Sequence, residues 1–339
     1  MQAIVFLGSG RWALQEVAEP RRTQPDDVLL EVERTGICGT DLHILSDPPK
    51  HPATPGSILG HEYVARVIEC GANAKGLSAR DRVVVDPNIP CGACDSCRQG
   101  RINMCQKMGT LGIFQNGGLA RYNVAPARSL HKIALEVPPE RAVLAEPLTC
   151  IYSAFEKAPA HPGDSIVVLG AGPIGLMFVL LYRKMGAGTI VSVEPRELRR
   201  RVASDLGADV AIDFHSDSLI PEVRKILPSG ADIVIDSVGT LIAAAVELVR
   251  PGGTVVLFGM VHGLTQTVSQ YDLTRKELTI VGSFIQRNAF PKVTRLLQQK
   301  DFPVEKVVSN CLPLTGMGEA LEAMRQGIAL KVILNPANS

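Results

Sequence analysis

Aromatic residues are scarce in this chain: phenylalanine, tyrosine and tryptophan together make up 4%, and Trp12 is the only tryptophan. A surface that stacks nucleobases needs such rings, so nucleic-acid binding is disfavoured. Net charge is equally scant. A formal +1 on 339 residues supplies no polyanion-binding excess, and 46% hydrophobic with 20% charged residues is not the composition of a disordered chain. No apolar run approaches the roughly 20 residues that cross a bilayer. Met1-Gln-Ala-Ile-Val-Phe opens directly as a strand, without a basic leader and cleavage site, which predicts a cytoplasmic protein. The length suits two ordinary domains.

What the chain does hold is cysteine in one place. Four of its eight cysteines, Cys91, Cys94, Cys97 and Cys105, fall in one loop as Cys-x2-Cys-x2-Cys-x7-Cys. Four thiolates gathered by Gly turns form the closed tetrahedral shell of a structural zinc. Disulfides are disfavoured in a chain read as cytosolic. An iron–sulfur cluster would show a shorter last spacing followed by Pro. A nucleic-acid zinc ribbon would bring a basic face, whereas this loop carries only Arg98, Arg101 and Lys107.

The first part of the chain reads as short strands broken by Gly and Pro. Val28-Leu-Leu-Glu-Val-Glu, Tyr63-Val-Ala-Arg-Val-Ile and Arg82-Val-Val-Val fit half-buried strands, which predicts an all-β region to about residue 149. From Ser165 the rhythm changes to strand–helix alternation. Apolar strands at Ser165–Leu169, Thr189–Glu194, Val210–Asp213, Asp232–Asp236, Thr254–Phe258 and Leu278–Gly282 predict a parallel sheet covered on both faces. Helices are expected over Ile174–Met185 and Arg196–Leu206. Another, from about Pro291 to Lys300, leads to a short β-rich tail ending Leu330-Lys-Val-Ile-Leu.

Gly170-Ala-Gly172-Pro173-Ile174-Gly175 fits the G-x-G-x-x-G dinucleotide fingerprint, and it follows an apolar strand and opens a helix. The first Gly makes the turn, the second admits the pyrophosphate, and the third lets helix and strand pack. Glu194 ends the next strand, 19 residues after Gly175, where a carboxylate can bond ribose hydroxyls. An acid there favours NAD and repels the 2′-phosphate of NADP. Arg196, Arg199, Arg200 and Arg201 argue the other way, as phosphate ligands. Most of them read as the solvated face of a helix, with Arg199 assigned to the adenine. NAD is expected, with NADP possible.

A second, open metal site can be assembled from Cys38 and His61, with Glu62 or Glu146 as the third ligand, leaving a position for substrate. Singly, each residue has a plainer explanation: a small buried Cys, a hydrogen-bonded core His, a carboxylate opening a helix. Their joint presence beside the cysteine lobe and the dinucleotide fingerprint makes the metal the better one.

On these motifs, Gly-His-Glu at 60–62, the Cys91–Cys105 lobe, Gly170–Gly175 and Glu146-Pro-Leu, the whole chain resembles the zinc-containing medium-chain dehydrogenase/reductase family. The likeness is to its sorbitol (polyol), threonine and butanediol dehydrogenase branch. The resemblance implies a GroES-like catalytic domain split around a Rossmann domain: residues 1–149 with a structural zinc lobe at about 88–107, then 150–286, then a return over 287–339. It implies two zinc ions per chain, one structural and one catalytic. Asp41 resembles the residue that orients His61, and Thr40 the hydroxyl that relays the substrate proton through the nicotinamide ribose towards His43. Ile174, Phe258, Gly259, Met260, Phe284, Ile285 and Gln286 fall where relatives line the cofactor, and Lys331 where they place a pyrophosphate cation. A homotetramer is expected over a dimer.

The resemblance implies oxidation of a secondary alcohol in a polyol, sugar or cyclitol to a ketone, with hydride passing to NAD. His43, with an ordinary pKa near 6.5, would make the rate rise from mildly acidic to alkaline pH. Departures from the family pattern fall in the substrate pocket. Ile44 replaces an aromatic of sorbitol dehydrogenases, and Ile285 replaces their arginine, with Arg287 two residues on. Ile37-Cys-Gly-Thr-Asp and Lys331-Val-Ile-Leu are shared with threonine dehydrogenases, which keeps L-threonine or 2,3-butanediol as alternatives. Two rival classes are a zinc-free quinone or enoyl reductase and a non-catalytic cofactor sensor. The first lacks these cysteines, and the second usually loses a ligand or relay residue, whereas Cys38, Thr40, His43, His61 and Glu146 are all present.

Overall fold

The structure, a computed structural model, describes residues 1–213 and 218–338. The chain divides into two units, Met1–Thr149 with Arg287–Ser339, and Cys150–Gln286.

The first unit is organised on the strand Asp27–Gly36, whose buried Val28, Leu30 and Val32 recur at every second position as a pleat with one dry face demands. Glu62–Cys70 and Tyr122–Pro126 pair with it antiparallel. The sheet runs Val308–Pro313, Lys331–Asn335, Asp27–Gly36, Glu62–Cys70, Arg82–Val85, Leu130–Lys132. The chain's last strand therefore lies beside its first long one, and Ile333, Gly36 and Glu62 stand in register across three neighbours. One core packs Ile37, Leu59, Leu119, Met317 and Val332, and another packs Leu30, Tyr63 and Val83.

The expectation of an all-β region up to residue 149 is corrected by short helices at Gly39–Ile44, Asp95–Arg98 and Pro139–Ala142, and by the start of Ala145–Phe155. Local end chemistry explains two of them. The Asp41 carboxylate accepts from the Cys38 amide at 2.8 Å, closing the first turn, and Pro139 occupies a first helical position where no amide hydrogen is missed. These segments are too brief to show helical periodicity.

The second unit is a parallel six-stranded sheet in the order Val210–Ile212, Ile190–Val193, Ile166–Leu169, Ala231–Asp236, Val249–Leu257, Thr279–Gly282. Numbered along the chain this is 3-2-1-4-5-6, the doubly wound order. Ile166–Leu169 and Ile190–Val193 are buried at every residue, as strands covered on both faces must be. The helices Pro173–Lys184, Glu197–Asp205, Leu219–Ile226 and Ile242–Leu248 connect them. Strand order reverses at Ile166–Leu169, so the Gly-rich turn after Leu169 sits at the topological switch point.

Candidate active site

In the first unit the donor atoms of Cys38, His61 and Glu62 lie within 4.8 Å of one another. Backbone geometry brings them together. Cys38 caps the helix Gly39–Ile44, and Glu62 opens the strand Glu62–Cys70. Gly60, at φ +89, turns the chain before them. A Cβ there would meet the Leu119 Cγ at 2.7 Å, so the turn requires Gly.

Asp41 is fully buried, and its Oδ1 stands 3.8 Å from His61 Nδ1, too far for a hydrogen bond. Neither atom has another hydrogen-bond partner. A buried imidazole nitrogen facing a buried carboxylate is the arrangement that orients a ligating histidine and frees its other nitrogen for a metal. Burial pushes the Asp41 carboxyl up. It pushes His61 down, but Cys38, Asp41 and Glu146 outweigh it and carry the imidazole well above its ordinary value. A site that collects negative charge around a soft thiol and an imidazole fits a divalent zinc ion.

Glu146 is buried in the first turn of Ala145–Phe155, close enough to act electrostatically on both His61 and Lys331, but it stands outside the tight cluster. Of the two candidate carboxylates, Glu62 is the one this geometry gathers with Cys38 and His61. Lys331, expected at the cofactor pyrophosphate, meets a carboxylate of its own unit. The residue is 4% exposed, and its ammonium donates to the Ile37 carbonyl at 2.9 Å and pairs with Glu62.

Thr40 Oγ1 lies 3.7 Å from the Cys38 sulfur, and His43 is exposed one turn further along the same helix. Partial burial, then the charges of Lys50 and His51, hold the His43 pKa below its ordinary value.

The second cluster gathers the Cys91, Cys94, Cys97 and Cys105 sulfurs within 4.8 Å. Amide hydrogens already point at them: Cys91 N and Lys107 N donate to Cys105 Sγ at 3.3 and 3.4 Å, and Cys94 N donates to Cys91 Sγ at 3.4 Å. Amides of Cys97 and Gln106 pull the Cys94 thiol down to about 6, while desolvation and the neighbouring Cys94 push Cys97 up to about 12. Four thiolates this close need a cation to ionise together, which suits a zinc held by four cysteines.

In the second unit Gly170 takes φ +92, and a Cβ on Gly175 would sit 1.9 Å from the Gly170 carbonyl, so helix and strand pack only through bare backbone. Gly172 faces open space up to the Arg199 guanidinium, 4.0 Å from its would-be Cβ. Pro173 and Ile174 begin the helix, whose N-terminus opens directly after Gly172. Glu194 is 4% exposed and turned inward. It accepts from Ala171 N at 2.9 Å and Arg196 N at 3.2 Å, and Arg199 stands 3.9 Å away. The carboxylate expected on a ribose thus also braces the Gly-rich turn. Arg200 is bound to the Glu194 and Pro195 carbonyls, whereas Arg196 and Arg201 are exposed, Arg201 paired with Glu197.

The half-buried Phe258 ring packs edge-on against Phe178 at 5.1 Å. Gly259 admits close approach of the neighbouring loop, since a Cβ would meet Gly239 N at 2.3 Å. Met260 and Phe284 are exposed and Gln286 is buried. Ile285 holds φ +39, a costly conformation for a β-branched residue. Sequence reasoning passed over Asp236. Its carboxylate accepts from the amides of Val238, Gly239 and Leu241 at 2.7–2.9 Å and shapes the loop beside the fingerprint. An acid ending an apolar strand before Ser-Val-Gly was the available signal.

A family model described as alcohol dehydrogenase GroES-like domain matches residues 24–135, and one described as zinc-binding dehydrogenase matches 173–299. D-altritol 5-dehydrogenase of Agrobacterium fabrum is 33% identical over 94% of this chain and 94% of its own. L-threonine 3-dehydrogenase of Pyrococcus horikoshii is 32% identical over 98% of each. A chain from Sinorhizobium meliloti 1021, solved with NADP, superposes with a TM-score of 0.93 at 30% identity over 99% of both. With both halves matched and whole-length relatives above 30%, the chain belongs to the zinc-containing medium-chain dehydrogenase/reductase family, NAD(P)-linked alcohol dehydrogenases, in its sorbitol- and threonine-dehydrogenase-like branch.

Proposed function

We propose that this protein oxidises a secondary alcohol of a polyol, sugar or cyclitol to a ketone, with NAD as hydride acceptor. The observation that carries the reading is the convergence of Cys38, His61 and Glu62 with buried Asp41 behind the imidazole. Cys38, His61 and Glu62, with Glu146 near by, would hold a catalytic zinc, and Cys91, Cys94, Cys97 and Cys105 a structural one. Zinc in the first site would supply Lewis acidity that makes a bound hydroxyl easier to deprotonate. NAD would supply the hydride-accepting ring.

The chain's own residues do the rest. Asp41, its carboxylate 3.8 Å from Nδ1, would steady the ring of His61 through its charge. Thr40 and His43, three apart on one helix, share a face and offer a path for the leaving proton from the buried centre towards water. With its pKa held low, His43 is neutral at physiological pH and ready to accept that proton. The Gly170–Gly175 turn and the amides behind it cradle the pyrophosphate, and Glu194 at the strand end favours an unphosphorylated ribose. A second reading, L-threonine or 2,3-butanediol oxidation, draws on the 32% identity to a threonine dehydrogenase across 98% of both chains. The protein is read as a cytoplasmic homotetramer, which light scattering coupled to gel filtration checks.

NADH formation across polyols, cyclitols, butanediol and L-threonine, with NAD or NADP and with or without chelator, tests the proposal. A chelator-sensitive signal on one polyol group supports it. Turnover restricted to L-threonine selects the second reading, and silence in protein that holds zinc and binds NAD overturns both.

A further inference from the structure

We propose that Lys331 is a built-in competitor for the metal: its buried ammonium holds the Glu62 carboxylate and so lowers the affinity of the Cys38–His61–Glu62 centre for a divalent cation. The inference rests on the metal reading above and concerns how that site is tuned.

Three strand ends set the arrangement. Gly36 closes Asp27–Gly36, Glu62 opens Glu62–Cys70 and Lys331 opens Lys331–Asn335. Gly36 stands opposite both Ile333 and Glu62. Lys331, two residues before Ile333, therefore shares its sheet face, and the lysine and the glutamate meet across Gly36. The meeting needs a bare backbone. A Cβ on Gly36 would sit 2.3 Å from Glu62 Oε2 and 3.0 Å from Lys331 Cε. The Ile37 carbonyl accepts a second ammonium hydrogen at 2.9 Å and pins the amine from the other side. Lys331 and Glu62 are 4% and 1% exposed, so solvent screens the pair little.

Stability alone does not explain such a pair. Two buried charges cost desolvation that well-packed apolar residues of the same size would avoid. Position does explain it. The carboxylate that the amine holds is the same one gathered with Cys38 and His61. An oxygen committed to an ammonium donates less to a cation, and the fixed positive charge repels the incoming ion. Both effects weaken binding, and the first makes Glu62 the ligand most easily exchanged.

Zinc titration of protein stripped at this centre, against a competing chelator, tests the proposal, with the thiolate-to-cobalt absorption of the Co2+ form reporting Cys38 independently. Lys331→Gln keeps a donor for the Ile37 carbonyl but removes the charge. It should bind zinc about ten- to a hundredfold more tightly than wild type, the usual reach of residues that hold a ligand. Lys331→Met carries the same expectation should the Gln variant misfold. The gain should shrink when Glu62→Gln is added, measured against Glu62→Gln alone, leaving only the part due to charge repulsion. Unchanged or weaker binding in the neutral variants, or a gain undiminished by Glu62→Gln, overturns the inference. Wild-type protein whose metal content is unaffected by Cys38→Ser would overturn the metal reading itself, whereas a wild type with two zinc ions and an unresponsive Lys331→Gln refutes only the role of Lys331.

Discussion

His131 allows a pH effect on stability to be worked out in advance. Its ring is half-buried, stacked at 4.7 Å and 8° on Phe290. It borders a cavity of about 470 Å³ whose charged lining residues are Lys75, Lys132 and Arg295, and Lys132 is already paired with Asp81 at 2.9 Å. Burial pushes its pKa from the ordinary 6.5 down to about 4. Between those values the unfolded chain takes up a proton that the folded one refuses, so stability falls as pH is lowered through the window and levels off below about 4. The full difference corresponds to about 3.4 kcal/mol. A ring partly open to solvent retains roughly half of it, about 1.5 kcal/mol. His131→Phe keeps the stack and removes the titration, and comparing the two proteins cancels pH effects on the metal sites. Urea unfolding at several pH values should show the variant gaining about 1.5 kcal/mol on wild type as pH drops from about 7 to about 4.5. In Tm that is a relative gain of about 3–6 °C for a unit of this size. Curves that stay parallel across the range would refute the account of a buried, neutral imidazole.

Other expectations can be checked on the same preparations. Asp41→Asn leaves the Cys38 amide a weaker acceptor and His61 a neutral neighbour, so zinc affinity at that centre should fall about ten- to a hundredfold while the four-cysteine site stays filled, read by metal analysis after graded chelation. Gly36→Ala must push Glu62 and Lys331 apart and should cost about 1–3 kcal/mol of stability in denaturant unfolding. Glu194→Ala removes the acceptor of Ala171 N as well as the proposed ribose partner. Its KM for NAD should rise about tenfold or more while that for NADP changes less.

How much of this was legible in the residues depends on the distance over which each feature is encoded. The Gly170–Gly175 turn, the apolar strands and the Cys91–Cys105 loop are local patterns, and each folds as its spacing dictates. The short helices at Gly39–Ile44 and Pro139–Ala142 were missed because one or two turns leave no periodicity to read, only an end-capping acid or a proline. The metal donors lay within reach of the sequence because Gly-His-Glu and Cys-Gly-Thr-Asp are compact, but the competition between Glu62 and Glu146 was not. It turns on which strand end faces which, a property of register. Lys331 makes the point most sharply. It is 269 residues from Glu62 along the chain, and nothing in Leu330-Lys-Val-Ile-Leu shows what its amine meets. Only the pairing of Ile333 with Gly36, and of Gly36 with Glu62, places the two charges on one face. A bare glycine between them then decides whether they touch. Sequence motifs thus name the donors of a site, while the residues that set its affinity enter through sheet register and must be read from the fold.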